Sequence, residues 1–260
     1  EYDLYSCLTP NYLSKYLVDP KERKPSSGRD ITDGLVGHWK FDEGEGITAY
    51  DASGNDNHGT LVNGPSWVDG KMGGALEFDG VSNYVNVGNN ESLNITDEIT
   101  IETWVKLEQT GDVQYPIIKR YDWNLKVFDN GMLEFCFDHN DERQRVQSDT
   151  GLFTWGNWHH IVGTYNGSEE KLFYDGIEIN SEVRTGSIDI RNYNLGIGAV
   201  SGNWVEGSWG YSKGLIDDVR IYNRALSAEE IQDLYNYEYS SKYAIWQNPV
   251  TKNISLKSLE

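Results

Sequence analysis

Between about Gly34 and Asn236 the chain runs in short stretches of alternating apolar and polar residues, separated by clusters of Gly, Asn and Asp. Period-two alternation bounded by turn residues predicts half-buried β-strands. Leu35–Phe41, Ala75–Phe78, Tyr84–Val87, Ile99–Val105 and Trp158–Tyr165 each fit that template. Asp175-Gly176, between Leu172-Phe173-Tyr174 and Ile177-Glu178-Ile179, predicts a tight hairpin, because both central positions of a type I′ turn need positive φ. Asn130-Gly131 marks a second reversal. Helical periodicity is confined to Ser227–Tyr235, where Ser227 is placed to cap, Glu230 completes a capping box, and Ile231, Leu234 and Tyr235 share a face. Many hairpins with one helix predict an all-β fold, a two-sheet antiparallel sandwich with a short helix docked at its rim.

The flanks differ. Residues 1–33 form a Tyr- and Leu-rich arm followed by a polar linker, and residues 237–260 form a second arm carrying Ala244-Ile245-Trp246 and the alternating Ile254 and Leu256. Neither can hold a core alone, so both are expected to pack on the 34–236 sandwich or on a neighbouring subunit. Apolar runs reach only a few residues, far below the ~18 of a membrane-spanning helix. The chain opens at Glu1 without Met or an apolar signal core, as expected of a chain processed or trimmed at its start.

Composition narrows the partners. With 22 Lys and Arg against 41 Asp and Glu, the formal net charge is −19. Duplex nucleic acid and anionic lipid are thereby excluded as expected partners, since both require cationic side chains to displace bound cations. Neutral glycans, cations and other proteins remain. The two cysteines, Cys7 and Cys136, rule out a Cys-rich zinc ribbon. Alternation in Leu133–Asp138 turns Leu133, Phe135 and Phe137 inward and Cys136 outward, where the first arm could meet it; either a Cys7–Cys136 disulfide or two free thiols follows. Asn-x-Ser/Thr triplets at Asn90, Asn94, Asn166 and Asn253 permit glycosylation of a secreted chain.

A run of motifs now carries a resemblance. Gly37-His38-Trp39-Lys40-Phe41-Asp42-Glu43-Gly44-Glu45-Gly46 is followed by Asp51-Ala52-Ser53-Gly54-Asn55-Asp56-Asn57-His58-Gly59-Thr60-Leu61 and Gly74-Ala75-Leu76-Glu77-Phe78-Asp79-Gly80. Then come Ile99–Lys106, Trp158–Val162, Tyr174-Asp175-Gly176 and Gly214-Leu215-Ile216-Asp217-Asp218-Val219-Arg220-Ile221-Tyr222 running on to Ser227. In this order they resemble the laminin-G-like, concanavalin-A-like jelly-roll family, in its prokaryotic extracellular branch, over about residues 35–236. That resemblance implies the jelly roll and an extracellular or cell-surface location. It leaves function open, because such folds serve as carbohydrate-binding modules, adhesins, enzyme appendages and structural proteins.

Alternation along 215–222 places Leu215, Asp217, Val219 and Ile221 on the inward face. A carboxylate among apolar residues must be paired, hydrogen-bonded or metal-bound. The resemblance implies a structural calcium where the first strand meets this Asp, and hard oxygen donors suit that ion. Asp217 and Asp42 are the leading ligands, with Glu43, Asp51 and Asn57 as further donors. The competing reading has Asp217 accepting backbone N–H groups or an Arg, and Asp51 and Asn55 forming Asx-turns.

Other chemistry is thin. His159 and His160 are adjacent in a strand and point to opposite faces, so they cannot chelate one ion. Glu134, Asp138, Asp141 and Glu142 form the nearest acidic set, yet Cys136 separates the first two and the Glu-x-Asp-x-x-Glu pattern of related glucanases is absent. No enzymatic activity is expected. Aromatic loops offer glycan platforms at Tyr121, Trp123, Trp155, Trp204 and Trp209, since sugar C–H faces stack on rings while polar neighbours bond hydroxyls; rim packing is the alternative. The reading is a non-catalytic, calcium-stabilised surface protein. Its arms mediate subunit assembly with other copies or neighbouring proteins, or its aromatic loops bind carbohydrate.

Overall fold

A computed structural model describes residues 30–200 and 210–241, with short segments at 245–247 and 254–256. The expected sandwich is present. The first sheet has the spatial order β14 (Ile177–Val183), β13 (Glu169–Tyr174), β12 (His159–Tyr165), β7 (Ile99–Leu107), β16 (Lys213–Tyr222), β5 (Gly74–Asp79), β4 (Ser66–Asp69). The opening strand β1 (Leu35–Trp39) also pairs with β16. The second sheet runs β11 (Glu142–Gln147), β10 (Leu133–His139), β9 (Trp123–Val127), β8 (Gln114–Lys119), β15 (Leu195–Ile197), β6 (Tyr84–Gly88), β3 (Gly59–Val62), β2 (Thr48–Ala49). All these pairings are antiparallel. A separate hairpin joins β17 (Ile245–Gln247) and β18 (Ile254–Leu256). Among the described residues no helix is long and apolar enough to cross a membrane.

The core fills the space between the two sheets with alternate residues from each strand: Ile101 and Val105 of β7, Ile161 of β12 and Ile216 of β16 meet Leu125 of β9 and Phe135 and Phe137 of β10. Gly163 lies directly opposite Phe135. A Cβ there would come within 2.3 Å of the ring, so this strand position has room for no side chain. The Asp175-Gly176 turn forms as expected, with φ of 50° and 78° joining Tyr174 to its partner Ile177. At Asn130-Gly131 only Gly131 takes positive φ, and Phe128 and Met132 close a longer loop.

Helix α1 spans Ala228–Ser241, longer than the periodicity alone predicts. Its capping box is complete: Glu230 N–H donates to Ser227 Oγ at 3.3 Å, and Ser227 N–H to Glu230 Oε2 at 2.8 Å. Ile231 and Leu234 pack with Val162, Phe173, Tyr222 and Leu226 on the outer face of the first sheet. That face is therefore buried too, and it carries charge. His38 Nε2 meets Asp218 Oδ1 at 2.6 Å, Asp218 meets Arg220 at 2.6 Å, Arg220 donates to Glu102 at 2.7 Å, and Glu102 contacts His160 Nε2 at 3.0 Å. The row crosses four strands, and mutual pairing offsets the cost of burying these groups.

Candidate functional site

β16 is shared by two partners end to end. Its first half pairs with β5 as far as Ile216, and its second half pairs with β1 from Val219 onward. Asp217 and Asp218 occupy the gap. There the β7 register shifts and Asp218 takes φ of 50°. This bulge changes the phase of the alternation, so Ile216 before it and Val219 and Ile221 after it all face the core. The inward placement of Asp217 with Val219 and Ile221 is thus corrected. Asp217 leaves on the outer face, yet it is fully buried, because the 70–74 turn folds over it.

That turn explains its glycines. A Cβ on Gly70 would lie 2.6 Å from Asp217 Oδ2, and one on Gly73 would lie 2.2 Å from Asp42 Oδ1. Met72 N–H donates to Asp217 Oδ2 at 2.9 Å, and Gly74 N–H to Asp42 Oδ1 at 2.8 Å. Asp217 Oδ1 is buried without a hydrogen-bond partner. Burial, with the charges of Asp218 and Asp42 adding and the Met72 and Lys71 N–H groups opposing, raises its carboxyl to about 8. Two carboxylates thus approach one turn, and one keeps an orphaned oxygen.

The other expected metal ligands divide. Asp51 Oδ1 accepts from His38 N–H at 2.8 Å and Ser53 N–H at 2.8 Å, and its Oδ2 accepts from Ser53 Oγ at 2.8 Å and Asn57 N–H at 3.0 Å. Asn57 Nδ2 donates to the Val36 carbonyl at 2.9 Å, its Oδ1 accepts from Ser92 Oγ at 3.2 Å, and its main-chain carbonyl accepts the Trp39 indole at 2.8 Å. Asp51 and Asn57 thus brace the first strand, their side-chain oxygens engaged by N–H and O–H donors. Glu43 accepts from Tyr50 N–H at 2.7 Å through Oε1, and its Oε2 is buried without a partner. No group of three His, Cys, Asp or Glu side chains arranged to hold a metal occurs among the described residues. An ion at Asp42 and Asp217 would complete its shell from main-chain carbonyls. The orphaned Oδ1 and the glycine turn fit that demand.

The expected aromatic loops fare differently from one another. Trp123 is fully buried in the core, which corrects its assignment as a sugar platform: on β9 it takes the inward phase with Leu125. Trp155 is half-buried at the rim, packed on the core with its ring centroid 5.1 Å from Phe153 at 68°. Trp204 and Trp209 lie outside the described residues. Tyr121 is 37% exposed, at φ of 61°, in the turn between β8 and β9.

Tyr121 has a companion that sequence reasoning missed. Tyr193, 38% exposed, lies 5.6 Å from it between ring centroids, with the planes at 59°. The Arg120 guanidinium lies 4.3 Å from the Tyr121 ring and 5.5 Å from that of Tyr193. Beneath them the two loops are tied together, since Arg191 N–H donates to Asp122 Oδ1 at 2.8 Å. Asn89 Nδ2 bonds Asn192 Oδ1 at 2.7 Å beside Tyr193, and Ile190 is 37% exposed. The sequence signal was available as Asn192-Tyr193-Asn194, an aromatic set between amides, but its partner was 72 positions away as the Lys119–Arg191 contact measures it.

Cys136 carries a free, fully buried thiol whose Sγ donates to Asn124 Oδ1 at 3.1 Å, and burial pushes it up to about 12. Its expected partner Cys7 lies outside the described residues. Asn90 and Asn166 are exposed, Asn94 is half-buried, and Asn253 lies outside the described residues. Glu134 is engaged by Lys126 and by Gln147 at 2.6 Å, and Asp138 by Arg143 at 2.9 Å.

Two packed antiparallel sheets with strand β16 closing onto β1 define a jelly-roll domain. The chain belongs to the Laminin G 3 family of the concanavalin A-like lectin/glucanases superfamily, whose model matches residues 79–232. It is 24% identical over 226 residues to botulinum neurotoxin type X of Clostridium botulinum, covering 78% of this chain and 16% of the toxin. Its fold is similar to the binding domain of Paraclostridial Mosquitocidal Protein 1, with a TM-score of 0.66, 20% identity, and coverage of 82% of this chain and 54% of that one. It is also similar to domain 4 of AbnA, a GH43 extracellular arabinanase from Geobacillus stearothermophilus, in complex with arabinotriose, with a TM-score of 0.60, 22% identity, and coverage of 77% and 98%. The chain thus spans about half of the mosquitocidal binding domain and a small part of the neurotoxin.

Proposed function

We propose that this domain is a non-catalytic, extracellular carbohydrate-binding module. One observation carries the reading: Tyr121 and Tyr193 stand exposed, 5.6 Å apart, on loops fastened to each other through Asp122. A rigid aromatic pair offers π-faces to the C–H face of a sugar ring, and the neighbouring amides of Asn89 and Asn192 bond hydroxyls. The acidic net charge of −19 favours a neutral sugar over an anionic one. Support also comes from the fold neighbours, of which one is the binding domain of a mosquitocidal protein and another was solved with arabinotriose. This reading is preferred to assembly through the arms because the fold neighbours include binding domains, while the arms lie largely outside the described residues.

Calcium enters as a structural part of the same proposal. Asp217 and Asp42 hold it where β16 passes from β5 to β1, fastening the opening and closing strands. A glycan array probed with the parent chain tests the binding reading. Recognition of neutral oligosaccharides, lost on Tyr121→Ala and Tyr193→Ala with the far-ultraviolet spectrum unchanged, is the expected result. An array without bound glycan overturns it.

A further inference from the structure

Lys119 is a buried amine with an amide in contact. It takes the inward phase of β8, opposite Trp123 of β9 and Leu195 of β15, both core residues, and it is fully buried. Its Nζ donates to Asn94 Oδ1 at 3.1 Å, to the carboxylate of Asp122, and to the Arg191 carbonyl at 3.4 Å. Asn94 lies between buried Leu93 and Ile95, and Asp122 is itself fully buried. A buried amine and a buried carboxyl group beside a half-buried carboxamide supply the three groups that an intramolecular aminolysis requires.

We propose that Lys119 and Asn94 join in an isopeptide bond once the chain has folded, with Asp122 moving the protons. The Lys119 ammonium first passes a proton to the Asp122 carboxylate, leaving a neutral amine beside a carboxylic acid. The Nζ lone pair then forms a bond to Asn94 Cγ, and the electrons of the C=O bond move onto Oδ1. As the carbonyl re-forms, the bond from Cγ to the amide nitrogen breaks. Asp122 gives its proton to that nitrogen, ammonia departs, and Asp122 takes up the proton shed by Nζ. One amide replaces another, with no oxidant, reductant or external co-reactant. Burial raises Asp122 to about 6 against the opposing pull of Lys119, which makes the carboxylate a better proton acceptor than an ordinary aspartate.

The bond has two consequences on this chain. It fastens the connection between β6 and β7 to β8 directly beneath Tyr121, whatever the domain binds. It also consumes Asn94, which removes the Asn94-Ile95-Thr96 triplet from the glycosylation sites.

Mass spectrometry of the full 260-residue chain, made in a bacterial cytoplasm, tests the proposal. The intact mass is expected about 17 Da below that of the sequence, the loss of one ammonia. Tryptic digestion should yield a branched peptide pair joining the Asn94 and Lys119 segments, with no cleavage after Lys119. Asp122→Asn, which keeps the side-chain size, and Lys119→Met should both return to the unmodified mass. A parent chain at the sequence mass after prolonged incubation overturns the proposal. So does mapping of the lost ammonia to Asn130-Gly131, where a succinimide gives the same change. A branched peptide surviving in Asp122→Asn overturns the role of Asp122.

Discussion

Arg220 of β16 donates to Glu102 of β7 at 2.7 Å, on the outer face of the first sheet beneath α1. Glu102 is fully buried and Arg220 nearly so. Burial works to raise the Glu102 carboxyl, but the Arg220 charge and the His160 hydrogen bond outweigh it and hold the group below the usual carboxylate range. A depressed folded-state pKa contributes stability that is present above the unfolded value and lost as pH falls through the folded one. Glu102→Ala leaves Arg220 buried with part of its pairing gone, and is expected to cost about 3–5 kcal/mol in chemical denaturation at neutral pH. A loss below 1 kcal/mol would show that the row of charges contributes little.

Glu170 gives the opposite dependence. Neither carboxylate oxygen accepts a hydrogen bond, and Arg184 Nε stands 3.5 Å away. Burial, with Glu134 and Glu182 adding and Arg184 opposing, raises the group to about 8. Between its unfolded pKa and that value the native chain holds a proton that the unfolded chain has released, so stability falls as pH rises through this window. The melting temperature should therefore decline from mildly acid toward alkaline pH, and Glu170→Gln should flatten the slope. Parallel curves for parent and variant would place the titration elsewhere.

Asp217 sets the calcium prediction. With Oδ1 waiting for a partner, added calcium is expected to raise the melting temperature by several degrees through binding to the native state alone. Chelator should reverse this, and Asp217→Asn should respond to neither. Equal melting curves with calcium and with chelator in the parent chain would remove the ion from the account.

Tyr235 of α1 stacks on Trp104 of β7, with ring centroids 5.5 Å apart and planes at 12°. Such a pair contributes about 0.5–1.5 kcal/mol beyond area burial. Tyr235→Ala is expected to cost about 2 kcal/mol in total and to increase hydrogen exchange in α1 more than in the core strands. Uniform loss of protection across both sheets would mean that the helix is not a separate unit.

Sugar affinity should divide between the two tyrosines. Each alanine replacement removes one ring face and is expected to weaken binding about tenfold, near 1.4 kcal/mol, while Tyr→Phe keeps the face and most of the affinity. Titration calorimetry with an array-selected oligosaccharide reads this directly. Equal losses for Phe and Ala would assign the effect to the hydroxyls.

Local pattern alone determined the strands, the Asp175-Gly176 hairpin and the Ser227 capping box, because each depends on residues within a few positions of one another. The burial of Asp217 was legible too, but its face was not: the bulge at Asp218 displaces the alternation by one residue where β16 changes partner from β5 to β1. Trp123 and Tyr121 are two residues apart in a loop-like stretch, yet one is in the core and the other is exposed, a division set by where β9 begins. The pairing of Tyr193 with Tyr121 and the contact of Lys119 with Asn94 belong to the tertiary structure. Pairing across sequence-distant loops depends on which strands become neighbours, and period-two patterning specifies which face of a strand is apolar without specifying what lies beside it.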